Sequence, residues 1–197
     1  MCSRYYLDEN FYAELETLLM TLGARQLQPL SIHPMDIRPS MPAPVIYEEA
    51  GDPVFAFLKW GFQNRRDSGL VINARVETVT EKAMFREAVT MRRCLIPASG
   101  FYEWDAGKNK FRFTNQNGKL VCFAGIFTIQ ENEGRFVILT TAANTTMEGV
   151  HDRMPLILQL KEYKRWLADP HAFPAIQRSV PPELTKECEM EQLRLDL

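Results

Sequence analysis

Soft metal ligands are sparse and scattered in this chain of 197 residues, which has three histidines and four cysteines. The cysteines stand at 2, 94, 122 and 188, with no Cys-x-x-Cys pair, and His33, His151 and His171 lie near none of them in sequence. That spacing argues against a zinc site, and neither metal nor cofactor is expected. Long apolar runs are also missing. The longest clean one, LVCFAGIF at 120–127, is far shorter than the roughly 20 residues that cross a bilayer, so no membrane partner is expected. Arg4, Asp8 and Glu9 stand where a secretion signal would be apolar. A cytoplasmic, reducing compartment is therefore expected, with Cys94 and Cys122 as unpaired core thiols in apolar runs. Charge of one sign is not in excess either, since the formal net charge is −2, which argues against a protein that coats nucleic acid non-specifically. The charge is uneven, however: residues 1–58 carry a net of −5 and residues 59–112 a net of +5. A basic centre in a near-neutral chain fits a local anionic ligand, or simply a solvated mixed surface.

With 46% hydrophobic and 24% charged residues, the composition is that of a soluble globular protein, and one domain over 1–197 is expected. Phe11, Leu15, Leu18, Leu19 and Leu22 form one helical stripe, with Gly23 as its stop. The following QPLSIHPMDIRPSMPAPV holds five of the twelve prolines and reads as a stiff extended loop across the surface. From 45 onward strands dominate: PVIYEEA, VFAFLKWGF, LVINARVET, RCLIPASGFYEW, KFRFTN, KLVCFAGIFTI and RFVILTTAA. NQNG at 115–118 predicts a hairpin turn between KFRFTN and KLVCFAGIFTI. Helices are expected over 80–93, opened by Thr80, then around 161–168 and near 183–194. The expected fold class is α+β: a curled, barrel-like, mostly antiparallel sheet with peripheral helices.

Four short stretches carry reactive side chains. MCSRYY places Cys2 so that removal of Met1 would leave an α-amine and a thiol on adjacent carbons, a pair no internal residue can offer. In LVINARVET, period-2 alternation sets Asn73, Arg75 and Glu77 on one face and Ile72, Ala74 and Val76 on the other. That polar face suits either a site or a solvated sheet surface. GFYEWD sets Glu103 among Phe101, Tyr102 and Trp104, either as an inward carboxylate fit for proton transfer or as an outward one between inward aromatics. GVHDRMP brings His151, Asp152 and Arg153 together in a loop after a strand, where sites often occur.

Taken in order and spacing, MC-x-R, INARVET, G-F-Y-E-W and V-H-D-R-M-P resemble the SRAP family, the SOS response-associated peptidase-like, abasic-site processing proteins. The resemblance runs from residue 1 to about 160. It implies a compact α+β domain on a strongly curved antiparallel sheet and, as partner, single-stranded DNA containing abasic sites, bound by a monomer. It implies Cys2 as nucleophile, Asn73 positioning the sugar or the N-terminal residue, Glu103 as acid/base and His151 beside it. Arg4, Pro39, Arg75, Thr140 and Arg153 match positions that hold DNA or line the site. Three departures stand out. MCGR is here MCSR, the usual Asn-x-x-Pro is Asp36-Ile37-Arg38-Pro39, and an aromatic loop is replaced by Gln63-Asn64-Arg65-Arg66-Asp67.

The chemistry that follows is capture of the ring-opened aldehyde of an abasic site. The amine condenses to an imine and the thiol closes a five-membered thiazolidine, giving a DNA–protein crosslink. Lyase activity and self-removal of Met1 belong to the same expectation. Two alternatives remain open: an N-terminal-nucleophile cysteine amidase or peptidase, which can also begin Met-Cys, and a non-catalytic nucleic-acid-binding β-module.

Overall fold

The first helical stripe forms as its spacing predicts. Strand β1 (Arg4–Leu7) leads into α1 (Phe11–Leu22), whose Phe11, Leu15, Leu18, Leu19 and Leu22 are all buried. Gly23 ends α1 at φ 71°, its N–H donating to the Met20 carbonyl and that of Ala24 to the Leu19 carbonyl, which satisfies the helix end. The computed structural model describes residues 2–28, 32–64 and 69–189. After α1 come β2 (Arg25–Gln26), β3 (Met35–Ile37), β4 (Pro42–Glu49), β5 (Asp52–Trp60), β6 (Phe62–Gln63), β7 (Leu70–Val71) and β8 (Asn73–Arg75). Helix α2 (Ala83–Met91) precedes β9 (Arg93–Ala98), β10 (Gly100–Trp104), β11 (Lys110–Asn115), β12 (Val121–Gln130) and β13 (Glu133–Ala142). The chain finishes with β14 (Arg153–Pro155), β15 (Ile157–Leu158), α3 (Leu160–Ala168), α4 (Phe173–Ile176) and β16 (Leu184–Glu189).

Strands β5, β4, β9, β12 and β13 pair in that order, and β13 returns to β5 through Arg135↔Lys59 and Phe136↔Trp60, closing a barrel. Closure leaves few free edges, as the curled-sheet expectation requires. Two hairpins in the barrel turn on two residues each, Ala50-Gly51 (φ 54° and 93°) and Glu131-Asn132 (φ 52° and 61°). A second sheet, ordered β16-β11-β10-β1-β3, packs its inner face on the barrel. Tyr5 and Phe101, both fully buried, meet Trp60 and Phe123 of the barrel at ring-centroid distances between 5.1 and 6.0 Å. Burying side chains of this size contributes about 1.5–3 kcal/mol each. This aromatic seam is what docks the N-terminal strand. Among the described residues no helix is long and apolar enough to cross a membrane.

Several local expectations are corrected. The proline-rich stretch is not all loop, because Met35–Ile37 pairs with β1 through Tyr5↔Ile37. LVINARVET is two short strands in different sheets, β7 on β6 and β8 in parallel on β13, and residues 76–80 lie in turns. Those turns delay α2 to Ala83. Its N-cap is Lys82 without a side-chain bond, so Thr80 does not open the helix. RCLIPASGFYEW likewise splits at Ser99, where the chain leaves the barrel for the outer sheet. The Asn115–Gly118 turn forms, with Gly118 at φ 70°, but joins no hairpin. β11 already lies between β10 and β16, and β12 between β9 and β13, so neither has an edge for the other. The segment expected to be a helix near 183–194 is strand β16 through Glu189, paired along its length with β11, and its remainder is outside the described residues.

One buried cation organises the helices around the barrel. Arg93, 5% exposed, donates to the carbonyls of Trp166 (2.6 Å) and Asp169 (2.9 Å) at the end of α3 and to those of Val89 and Thr90 in α2. A guanidinium at two helix C-termini satisfies carbonyls that no N–H reaches and meets both negative dipole ends. Arg93→Ala leaves these acceptors buried and unpaired, so stability should fall by about 3 kcal/mol in urea unfolding. A loss below about 1 kcal/mol would mean that water replaces the guanidinium.

Candidate active site

Cys2 lies just before β1 and is buried, at 1% exposure. Its carbonyl accepts a hydrogen bond from Asn73 Nδ2 at 2.8 Å, so β8 holds the residue to which the thiol belongs. Asn73 Oδ1 is buried without a hydrogen-bond partner among the described residues, leaving one acceptor beside the Cys2 backbone. Glu103 comes from β10, where Phe101 and Glu103 face inward (0% and 6% exposed) and Trp104 is only partly covered on the opposite face. The outward-glutamate reading is thereby excluded. Burial, and then the Glu103 charge, push the Cys2 thiol well above its ordinary value, so Glu103 is within electrostatic range of Cys2. The register explains the proximity: Arg4 pairs with Tyr102, so the chain leading into β1 passes Glu103.

The arginines differ in how free they are. Arg4 donates from Nε (2.8 Å) and Nη2 to one oxygen of Asp36, and its guanidinium lies 5.7 Å from the Tyr102 ring centre. Arg153 makes a two-pronged pair with Glu77, Nη1–Oε1 2.6 Å and Nη2–Oε2 2.9 Å, and Nη2 also donates to the Thr140 carbonyl at 2.6 Å. The Arg153 hydrogen bonds hold the Glu77 carboxyl below its ordinary value. Thr140 is fully buried, and its role in this structure is to anchor Arg153 and, by accepting from the Val76 N–H at 3.0 Å, the end of β8. Arg75 is exposed and makes no ion pair among the described residues. β8 and β14 flank β13, with Thr140 opposite both Arg75 and Pro155, so the two motifs meet at one end of the barrel.

His151 follows a turn built by Asn144, whose Oδ1 accepts from the Thr146 N–H at 3.1 Å while its Nδ2 donates to the carbonyls of Pro181 and Pro182. Gly149, at φ 77°, supplies the left-handed step that returns the chain to β14. His151 Nδ1 accepts from the Arg153 N–H at 3.0 Å and lies 2.7 Å from an Asp152 oxygen. The first contact uses the Nδ1 lone pair, which in the neutral ring leaves the hydrogen on Nε2. An open groove of about 670 Å³ runs past His151, lined by Ala142–Thr145 and Glu148–Asp152. Pro39 sits in the turn after β3. Arg65, Arg66 and Asp67 lie outside the described residues. Asp36 and Glu77, the carboxylates on Arg4 and Arg153, were not foreseen as a pair of partners, although both were visible. Asp36 is a departure from the family motif, and Glu77 shares the Asn73 face. Among the described residues no group of three or more His, Cys, Asp and Glu side chains is placed to hold a metal ion.

Comparison with known proteins shows the family and the fold. The family model described as SOS response associated peptidase (SRAP) matches residues 1–195. The chain is 32% identical over 183 residues to the abasic site processing protein YoqW of Bacillus subtilis, covering 85% of this chain and 80% of the relative. It is 33% identical over 125 residues to the abasic site processing protein YedK of Escherichia coli, covering 59% and 54%. A phage-related protein of Bordetella bronchiseptica shares the fold at TM-score 0.77 and 22% identity, with 96% and 95% covered. This chain belongs to the SRAP family.

The thiols offer a direct check. Cys2, Cys94 and Cys122 are buried and Cys188 is exposed. Burial raises all three buried thiols, Cys122 to about 12. At mildly alkaline pH an aromatic disulfide reagent should therefore modify Cys188 rapidly and the other three only as the protein unfolds. Unfolded thiols ionise near 8.5 while the folded ones keep their protons, so this contribution to stability is intact below that pH and declines above it. A second fast equivalent, mapped to Cys2, would show that the Cys2 thiol is open to solvent.

Proposed function

We propose that this protein captures abasic sites in single-stranded DNA by forming a thiazolidine between Cys2, as mature N-terminal residue, and the ring-opened aldehyde. The observation that carries the reading is the hydrogen bond from Asn73 to the Cys2 carbonyl beside the buried Glu103. It presents the Cys2 backbone, and so its amine once Met1 is removed, at a fixed place next to a group able to move protons. The names of the relatives point the same way. One SRAP unit over 1–197 acting as a monomer is part of the proposal.

Glu103 gives a proton to the sugar ring oxygen as the C1′–O4′ bond breaks, exposing the aldehyde. The Cys2 amine, with an ordinary pKa of about 7.7–8.0, adds to C1′ and water leaves, giving an imine. Because burial keeps the thiol protonated, the amine attacks first. The Sγ–H then adds across the C=N bond: sulfur bonds C1′, and its proton passes through Glu103 to nitrogen. His151 holds the released hydroxyl. Met1 removal, by the protein itself or by an aminopeptidase, precedes all of this, and strand cleavage is the side path open to the imine.

Incubation with abasic single-stranded DNA followed by a denaturing gel tests the reading. The expected adduct is heat-stable, carries no Met1 by intact mass, and is lost in Cys2→Ala. Cys2→Ser retains the amine and should give only a reducible imine. Glu103→Gln should slow adduct formation by about 10²–10⁴-fold. A durable adduct in Cys2→Ala would overturn the thiazolidine.

A further inference from the structure

A protein that binds a polyanion would be expected to offer unpaired cations, yet among the described residues of the basic segment five cations are used internally. Lys59 pairs with Glu133, Arg92 with Glu87, Lys110 with Glu189 and Arg112 with Glu187, and Arg93 is buried. The same holds in the reactive region. Arg4 is engaged by Asp36 and Arg153 by Glu77, and both pairs use the guanidinium geometry that would clasp a phosphate. In addition, the groove past His151 is lined by Glu148 and Asp152. Of the arginines around Cys2, only Arg75 stands exposed with no ion pair among the described residues.

We propose that Asp36 and Glu77 are specificity-determining residues, occupying on Arg4 and Arg153 the places of two DNA phosphates. Undamaged single-stranded DNA is then held weakly, chiefly through Arg75, and lasting retention comes only from the covalent bond at Cys2. The proposal rests on the crosslinking reading above and adds how damaged and intact strands are told apart. The physics is an exchange. A phosphate that takes Arg4 releases a condensed counterion from the DNA but frees the Asp36 carboxylate, which recruits a cation in its turn. Arg4 therefore adds little to the salt dependence while Asp36 is present. The Asp36 pair is partly exposed, with side chains at 27% and 30%, so it is cheap to break once an aldehyde has been engaged.

The test uses the full chain and an unmodified single-stranded oligonucleotide, with affinity read by fluorescence anisotropy across a salt series. Asp36→Asn should tighten binding and steepen the slope of log affinity against log salt by about 0.7, the value for one phosphate contact on a single strand. Glu77→Gln should do the same through Arg153, and Asp36→Asn combined with Arg4→Ala should return the slope to that of the parent. In crosslinking to abasic DNA, both single variants should be slowed more than the parent by added undamaged competitor. Thermal melting establishes that each variant is folded, and Asp36→Asn and Glu77→Gln serve as independent probes if one is not. Folded variants with the parent slope and the parent's sensitivity to competitor would overturn the proposal. Failure of the crosslinking reading is distinct from this, since it appears as no Cys2-dependent adduct in the parent.

Discussion

The site depends on β1 being held between two neighbours. An extended segment of four residues at the start of a chain has little reason to be ordered by itself, since ordering each residue costs about 1–2 kcal/mol of backbone entropy. Here β10 pairs on one side through Arg4↔Tyr102 and Tyr5↔Phe101, and β3 on the other through Tyr5↔Ile37. Tyr5 then drives its ring between Trp60 and Phe123 of the barrel. Hydrogen bonds set the register of β1 and aromatic burial sets its depth. With both fixed, Cys2 has one place to be, under Asn73 and near Glu103.

That arrangement divides labour between a rigid interior and a compensated rim. Cys2, Glu103 and Thr140 are buried on or next to strands, where packing restricts them. Two of the arginines at the rim, Arg4 and Arg153, have their charges balanced by carboxylates from other segments: Asp36 from β3 and Glu77 from the turns after β8. In the proposed reading, a buried thiol and a weakly cationic approach suit a partner whose own reactive group, once opened, supplies most of the driving force.

The buried network also shows why charge counts along the chain mislead. Residues 59–112 carry a net of +5, but Arg93 ties down helix ends and Lys110 and Arg112 pair with acidic residues of β16 nearly eighty positions away. A linear charge segment becomes a surface patch only when folding leaves it unpaired, and here folding pairs or buries Lys59, Arg92, Arg93, Lys110 and Arg112.

Local periodicity was enough for α1, because five apolar residues at helical spacing and a glycine stop agree with each other and with the burial they find. The Asn73, Glu103 and His151 motifs were legible as candidates from residue type and order. Whether Glu103 faced in or out, and whether Asn73 lay on a solvated surface, were not, since alternation assigns faces without saying which one the core covers. The NQNG turn and the 183–194 segment were misread for the same reason. Local preference wrote a hairpin and a helix, while pairing partners distant in sequence made a corner between sheets and a six-residue strand on β11. The candidate residue was thus legible in the sequence, as an aminothiol latent at position 2. The charges left free around it were decided by tertiary structure, because ion pairs such as Arg4–Asp36 and Arg153–Glu77 join residues 32 and 76 positions apart.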